Sequence, residues 1–243
     1  MHKIAILQSN YLPWKGVFDM IHQVDTFVFL EDVQYTEHDW RNRNKIITKD
    51  GVKWITVPVN HSNRKGQKIY EAEINDKISW QRKHYNAFEL NYAKTPYFKQ
   101  YRWILEDLYR NKKWSKISDF NIYAIELIAK ELGIKTQFIN SLDLIAKGTK
   151  DDRIIGICKK LNATHYLSGT AAKNYIIPEK FEKANIKLEY IKYEYPRYKQ
   201  LYGSFNHFVT VLDLIFNCGT KAPYYIWGWR EKKEKGVIEY DTL

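Results

Sequence analysis

The order strand, polar loop, helix, strand within the first 33 residues constrains the fold more than any other feature of the sequence. The apolar run from Ile4 to Ser9 predicts a buried strand, and residues 16–24 carry apolar side chains at helical spacing. Residues 26–33 predict a second buried strand that ends in acidic side chains. A unit of this kind is typical of a parallel sheet with a right-handed crossover.

The rest of the chain continues this alternation. Short β-rich runs predict strands at residues 136–142, 164–168 and 186–195, and helical spacing predicts helices at 151–161 and 205–216. Strands that alternate with helices indicate a parallel sheet covered by helices.

Two local patterns interrupt the alternation. Residues 77–133 are mostly helical in spacing and predict an insertion whose last helix is N-capped by Ser118 and followed by Gly133. Asp50-Gly51 lies between two β-rich runs and predicts a hairpin. We therefore predict an α/β, Rossmann-like fold with a mostly parallel sheet, a helical insertion and a β-hairpin.

Length and composition favour one α/β domain over residues 1–222, with a polar loop at 60–68 and a polar C-terminal tail at 223–243. Cys158 and Cys218 are too few for a disulfide framework or a zinc site, which favours a reducing compartment. The N-terminus has no secretory pattern, and no apolar run approaches the roughly 18 residues of a membrane span. We expect a cytoplasmic protein with no membrane span.

The formal net charge is +11, which raises the question of a nucleic-acid partner. Lysine and arginine are spread along the whole chain, and we find no helix-turn-helix, zinc-finger or RNA-recognition motif. The charge therefore indicates either a generic lysine-rich surface or a preference for small phosphorylated ligands. We expect no nucleic-acid polymer as a partner, and the oligomeric state stays open.

Ligands of open α/β sheets bind at the carboxyl ends of strands, and three predicted strand ends are unusually polar. The first feeds a helix N-terminus, where free N–H groups and the helix dipole favour an anion. Its candidate substrate-binding residues are Gln8, Ser9, Asn10, Tyr11, Trp14, Lys15 and Gly16.

The second polar strand end carries acidic residues and arginines, and each arginine guanidinium has several N–H donors. Asp32, Glu31 and His38 are the candidate catalytic residues, since each can accept a proton. If the stretch after residue 40 is extended, its arginines and asparagines point to opposite faces. The candidate substrate-binding residues here are Gln34, Tyr35, Trp40, Arg41, Asn42, Arg43 and Asn44.

The third strand end offers Ser168, Gly169 and Lys173, which could close over a phosphate although the Walker A spacing is absent. The sequence also lacks G-x-G-x-x-G, G-x-S-x-G and H-E-x-x-H, which argues against a dinucleotide-binding Rossmann domain, an α/β-hydrolase and a zincin. We predict no metal site.

The combination of QSNYLPWKGVFDMI, VDTFVFLEDVQYT, WRNRNKI, WITVPV, YLSGTAAKNYI and VLDLIFNCG resembles the WbqC-like protein family over residues 4–219. Members are associated with clusters for O-antigen and other surface polysaccharides, mostly in bacteria. The resemblance implies a protein that acts on nucleotide-linked or otherwise activated sugars. The opening unit is also similar to HUP-type nucleotidylyltransferases. Those enzymes carry H-x-G-H where this chain has Pro13-Trp14-Lys15-Gly16, which argues against nucleotidyl transfer.

Three functions remain open from the sequence. The leading hypothesis is acyl or aminoacyl transfer to the amine of a nucleotide-linked amino sugar, with no required cofactor. Lys15, Arg41 and Arg43 would then hold phosphates, while the rings of Tyr11, Trp14 and Trp40 stack on the base or sugar. The alternatives are a HUP-type ligase or nucleotidylyltransferase that uses ATP and Mg²⁺, and a nucleotide-sugar-binding protein without chemistry.

Overall fold

A computed structural model of the chain describes residues 1–60 and 66–234. Part of the predicted polar loop at 60–68, namely residues 61–65, therefore lies outside the described residues. The same holds for residues 235–243 of the predicted tail at 223–243. In chain order the elements are β1 (Lys3–Leu7), α1 (Lys15–His22), β2 (Thr26–Phe29), β3 (Arg43–Thr48), β4 (Gly51–Thr56), β5 (Val59–Asn60), β6 (Glu73–Ile74), α2 (Trp80–Tyr92), α3 (Phe98–Glu106), α4 (Ile117–Glu131), β7 (Gln137–Asn140), α5 (Lys150–Lys160), β8 (His165–Ser168), α6 (Pro178–Lys183), β9 (Lys187–Tyr190), α7 (Val211–Cys218) and α8 (Gly228–Glu234).

Five strands form one parallel sheet in the order β7-β2-β1-β8-β9. The register pairs Ile4 with Thr26 on one side of β1 and Lys3 with His165 on the other. The strand order reverses at β1, so the switch point where such sheets bind ligands lies beside the carboxyl end of this strand. The predicted Rossmann-like α/β fold is confirmed.

Helices cover both faces of the sheet, because the central strands are apolar on both sides. Ala5 and Phe27 belong to one core with α1, α4 and α7. Ile4 and Val28 belong to a second core with α5 and α6 on the opposite face. This double burial explains why β1 and β2 appear in the sequence as continuous apolar runs rather than alternating ones.

The insertion between β6 and β7 is helical, as predicted, and consists of α2, α3 and α4 with a π-helical turn at Asp107–Asn111. The predicted N-cap is wrong, because α4 begins at Ile117 and Ser118 lies inside its first turn. Gly133 does follow the helix, and its φ of +79° is the left-handed conformation that favours glycine there. The predicted hairpin is also confirmed, since β3 and β4 are antiparallel and pair Thr48 with Gly51.

Two predictions about the C-terminal part need correction. The predicted helix at 205–216 begins only at Val211, where the hydroxyl of Thr210 accepts from the Leu212 amide. Part of the predicted polar tail is packed: Ile226 is fully buried, and Arg230 of α8 forms an ion pair with the buried Asp19 of α1. The packed chain therefore continues to at least Arg230.

Ser118 provides a test of how the insertion is attached to the sheet. Its hydroxyl donates to the buried carboxyl group of Glu31 at 2.6 Å. Removing a donor to a buried carboxyl group costs about 2 kcal/mol. We expect Ser118→Ala to lower the free energy of unfolding by that amount in urea titrations. Ser115→Ala is the control, since Ser115 is exposed on the preceding segment. Equal effects of the two variants would contradict this attachment.

Candidate functional site

A buried carboxyl group occupies the carboxyl edge of β1 and β2. Glu31 is fully buried, and its two oxygens accept from the Ser9 amide at 2.8 Å, the Ser9 hydroxyl at 3.0 Å and the Ser118 hydroxyl. Burial raises the pKa of Glu31 above its ordinary value. Ser9 is equally buried, so these two predicted site residues tie the sheet to the insertion in this state and are closed to a ligand.

The other two predicted catalytic residues do not converge with Glu31. Both carboxylate oxygens of Asp32 are engaged, one by the Ser141 hydroxyl at 2.9 Å and the other by the guanidinium of Arg153. His38 is mostly exposed, with its Nε2 3.1 Å from a carboxylate oxygen of Glu37. Glu31, Asp32 and His38 therefore do not form a cluster of proton acceptors.

The four alternating residues after Trp40 behave as their spacing predicts: Asn42 and Asn44 are buried, whereas Arg41 and Arg43 are partly exposed. The Asn42 amide donates to the Val57 carbonyl at 3.0 Å, and the Asn44 amide donates to the Leu12 carbonyl at 2.6 Å. The N–H groups of both asparagines thus bond to the backbone, while the side-chain oxygen of Asn42 is buried with no partner among the described residues.

The two arginines are partly engaged within the protein. Arg41 donates to the amide oxygen of Gln8 and lies 3.2 Å from Asp39, and its Nε is buried with no partner among the described residues. The guanidinium of Arg43 stacks 4.3 Å from the ring centroid of Trp54 on the neighbouring strand. The Nε of Arg43 is likewise buried with no partner among the described residues, so the two arginines do not differ in this respect.

Tyr11 does not stack on a ligand, which corrects the sequence-based expectation. Its ring is fully buried, and its hydroxyl is bonded to His84 Nδ1 at 2.7 Å and to the hydroxyl of Tyr109. Burial lowers the pKa of His84 to about 4, so this imidazole is neutral at neutral pH. The network joins the loop after β1 to the insertion.

The loop after β1 and the hairpin enclose an aromatic cavity of about 250 Å³. The rings of Trp14 and Phe208 lie 5.3 Å apart on one wall. Asn10 contributes a side-chain oxygen that is buried without a hydrogen-bond partner among the described residues. We call this the Trp14 cavity; its lining residues are Asn10, Pro13, Trp14, Trp40, Asn44 and Phe208.

Gly16 is required by the Trp14 ring rather than by a phosphate. A Cβ at this position would lie 2.3 Å from a carbon of the Trp14 indole, so any larger residue displaces the ring. Gly16 is a predicted substrate-binding residue, but the close neighbour that the structure gives it is the Trp14 ring. Gly16 thereby fixes one wall of the Trp14 cavity.

Lys15 is the least expected member of the site, because only 2% of it is exposed although it begins α1. Its Nζ lies 3.5 Å from the Pro196 carbonyl oxygen and 4.9 Å and 5.1 Å from the ring centroids of Tyr195 and Tyr198. Burial lowers its pKa to about 7, although the nearby carboxyl group of Asp213 opposes this shift. Lys15 therefore points into an aromatic compartment, away from the predicted anion site at the helix N-terminus.

The segment at residues 192–210, which we call the covering segment, closes both features. It supplies Phe208 to the Trp14 cavity and Tyr195 and Tyr198 to the Lys15 compartment. Trp14 lies between the two, since its ring is 5.9 Å from that of Tyr195. The sequence predicted a strand up to residue 195 and a helix from residue 205, but β9 ends at Tyr190 and α7 begins at Val211. The part of the covering segment between them was therefore not predicted as a wall of the site.

The remaining candidates lie apart from the Trp14 cavity lining. The Nζ of Lys173 is 5.1 Å from the Tyr190 ring centroid, Ser168 is buried, and Gly169 approaches Tyr193. Gln34 is exposed and forms an isolated bridge with Lys68, while Tyr35 is buried with an unpartnered hydroxyl. Phosphate binding at the third strand end stays a prediction.

Two searches of residues 1–60 and 66–234 give negative results. No group of three histidine, cysteine, aspartate or glutamate side chains there is arranged to hold a metal ion. No helix in that part of the chain is long and apolar enough to cross a membrane.

The fold and the site define a Rossmann-like α/β protein with a small aromatic cavity in the loop after its first strand. The sequence profile of the WbqC-like protein family matches residues 8–225, and the chain therefore belongs to this family. It is also similar to the uncharacterized protein Rv1507c of Mycobacterium tuberculosis (strain ATCC 25618 / H37Rv), with 40% identity over 227 residues that cover 93% of this chain and 98% of the mycobacterial one. No solved structure matches the chain.

The depressed pKa of Lys15 makes a prediction about stability. Between about pH 7 and the ordinary value of 10.5, the unfolded chain binds a proton at Lys15 that the folded chain does not. The contribution of Lys15 to stability is thus most unfavourable below pH 7 and improves as the pH rises through this window.

We expect Lys15→Met to raise the free energy of unfolding, most strongly at pH 6 and least above pH 10. Urea titrations over this pH range measure the difference, with the exposed Lys159→Met as control. A gain that does not change with pH would show that Lys15 titrates normally.

Proposed function

We propose that the chain is a cytoplasmic enzyme of surface-polysaccharide biosynthesis that transfers an acyl or aminoacyl group to the amine of a nucleotide-linked amino sugar. The observation that carries the proposal is the Trp14 cavity with the buried Lys15 one ring away. The family supports the biosynthetic context that the sequence resemblance implies.

The Trp14 cavity suits a sugar ring better than a whole nucleotide. Its volume of about 250 Å³ falls below the usual range for drug-sized ligands, about 300–1,000 Å³. The wall formed by Trp14 and Phe208 offers aromatic faces for the apolar side of a sugar. The unpartnered oxygen of Asn10 accepts from a hydroxyl or an amine of the same ring.

Lys15 replaces the carboxylates as the candidate proton acceptor. In acyl transfer, the sugar nitrogen attacks the carbonyl carbon of an activated donor, the new C–N bond forms and the bond to the leaving group breaks. The proton released from the nitrogen passes to the amine of Lys15. A pKa near 7 leaves about half of Lys15 neutral at neutral pH, which an ordinary lysine does not achieve.

In the closed state Lys15 is shielded by Tyr195 and Tyr198. The proposal therefore requires the covering segment to move when a substrate enters. The hydroxyl of Tyr195 donates to Asp19 at 2.8 Å, and the hydroxyl of Tyr198 donates to Asp213 at 2.7 Å. The movement therefore has to break both hydrogen bonds.

The binding half of the proposal is tested with Trp14→Ala. Loss of the indole removes one wall of the cavity, and we expect about tenfold weaker binding of UDP-glucosamine, which is the effect of losing about 1.4 kcal/mol of ring contact. Isothermal titration calorimetry measures the affinity. Trp103→Ala is the matched control, because Trp103 lies on the exposed side of α3. Unchanged affinity in Trp14→Ala would refute the sugar site.

The catalytic half is tested with Lys15→Arg, which keeps a cation in the compartment but cannot become neutral. We expect the wild-type rate of acyl transfer to rise with pH through about 7 and the variant to lose at least about a hundredfold in kcat. A variant that binds the sugar normally and retains kcat would remove Lys15 from the chemistry. Normal binding without turnover in the wild type for any acyl donor would instead favour a binding protein.

A further inference from the structure

A large cavity lies in the helical insertion, away from the predicted strand-end sites. It is an open cleft of about 1100 Å³ between β6, the start of α2 and the π-helical turn. Four cations line it: Arg82, Arg110, Lys113 and Lys116. Two acids, Glu73 and Asp76, line it as well, so its charge is net positive.

The four cations in this cleft differ in whether a carboxylate neutralises them. Lys116 is neutralised by Glu73, with Nζ 3.3 Å from the carboxylate. Arg82, Arg110 and Lys113 are exposed, and none has a carboxylate within ion-pair distance among residues 1–60 and 66–234. Arg82 from α2, Arg110 from the π-helical turn and Lys113 two residues after that turn thus share one cleft. Asp76 is the one lining acid that forms no ion pair within the described part of the chain.

Arg110 is held in a fixed orientation. Its guanidinium carbon lies 3.8 Å from the ring centroid of Tyr85, a stacking distance. Stacking immobilises the plane of the guanidinium and leaves its edge donors free, which suits bidentate binding of a phosphate. Tyr85 is in turn fixed, since its hydroxyl accepts from Arg102 at 2.8 Å.

Side-chain hydrogen bonds stabilise the π-helical turn that carries Arg110. Gln81 donates to the carbonyls of Tyr109 at 3.2 Å and Lys112 at 2.8 Å, and Trp114 donates to that of Leu108 at 2.8 Å. These side chains satisfy carbonyls that an irregular turn would otherwise leave unpaired. Turns of this type cluster at functional sites.

The cleft is connected to the Trp14 cavity by one residue. Tyr109 lines the cleft, and its hydroxyl is bonded to that of Tyr11. The amide of Tyr11 donates to the carbonyl of Trp40, a lining residue of the Trp14 cavity, at 2.8 Å. A ligand bound against Tyr109 is therefore one side chain away from the loop that shapes the sugar site.

We propose that this cleft binds the diphosphate group of a nucleotide, with Arg110, Arg82 and Lys113 as its cationic contacts. The volume accommodates a nucleoside diphosphate, and the charge matches a ligand that carries two or three negative charges. The inference concerns binding alone and does not depend on the acyl-transfer chemistry proposed above.

The test uses the full chain and two probes, inorganic pyrophosphate and UDP, titrated by calorimetry at fixed ionic strength because exposed charges are screened by salt. We expect both probes to bind. Arg110→Met and Lys113→Met should each weaken both probes by about tenfold, the effect of one charge-assisted hydrogen bond. Lys94→Met is the matched control, since Lys94 is an exposed lysine of the same insertion that does not line the cleft.

Lys113→Met separates a loss of binding from a loss of folding, because Lys113 is exposed and its loss does not disturb the stacking of Arg110 on Tyr85. The proposal is overturned if the wild type binds neither probe, if UDP fails to bind while pyrophosphate does, or if Lys94→Met weakens binding as much as the cleft variants do. Trp14→Ala should leave pyrophosphate affinity unchanged. A loss in that variant alone would place the diphosphate at the sugar site and also overturn the proposal.

Discussion

The buried carboxyl group of Glu31 is the interaction on which the site depends. It lies directly after β2 and accepts from Ser9 after β1 and from Ser118 in α4. Its own amide donates to Ser141 after β7 at 3.1 Å. Glu31 therefore links the ends of β1 and β2 to the segment after β7 and to α4 of the insertion. Desolvating such a group is costly, and only complete hydrogen bonding offsets the cost.

This use of the strand ends has a consequence for ligand binding. Ligands of Rossmann-like sheets usually occupy the crevice outside the carboxyl ends of the strands. Here Ser9, Glu31 and Asp32 at the ends of β1 and β2 are engaged in internal contacts. The loop after β1 instead packs against the hairpin, where the Asn44 amide donates to the Leu12 carbonyl. The cavity opens beside this contact, between Trp14 and Trp40. The Trp14 cavity is thus displaced from the sheet edge by one loop.

Lys15 and the covering segment form the second part of the candidate site. A lysine removed from water loses its proton more easily, and the aromatic rings around its Nζ compensate for only part of the lost hydration. The compartment therefore maintains an amine that titrates near neutral pH next to an aromatic cavity. Perturbed groups of this kind cluster at functional sites, and this association supports the enzymatic proposal.

Local chemistry made much of the fold predictable. The apolar runs of β1 and β2, the Asp50-Gly51 turn and Gly133 after α4 each depend on a few neighbouring residues, and the structure confirms them. The site was less predictable, because its geometry depends on distant contacts. Ser118 bonds to a residue 87 positions away, and Lys15 is closed by Pro196, 181 positions away. Burial, which the local sequence does not show, changed the expected roles of Tyr11, Lys15 and Glu31.

The central claim is that the sugar site lies in the Trp14 cavity rather than at the predicted carboxylates. A crystal structure of the wild-type chain with bound UDP-glucosamine tests this directly. The account predicts sugar density between Trp14, Phe208 and Asn10, with the Glu31 hydrogen bonds to Ser9 and Ser118 intact. Sugar density against Asp32 or His38, with the Trp14 cavity unchanged, would contradict it.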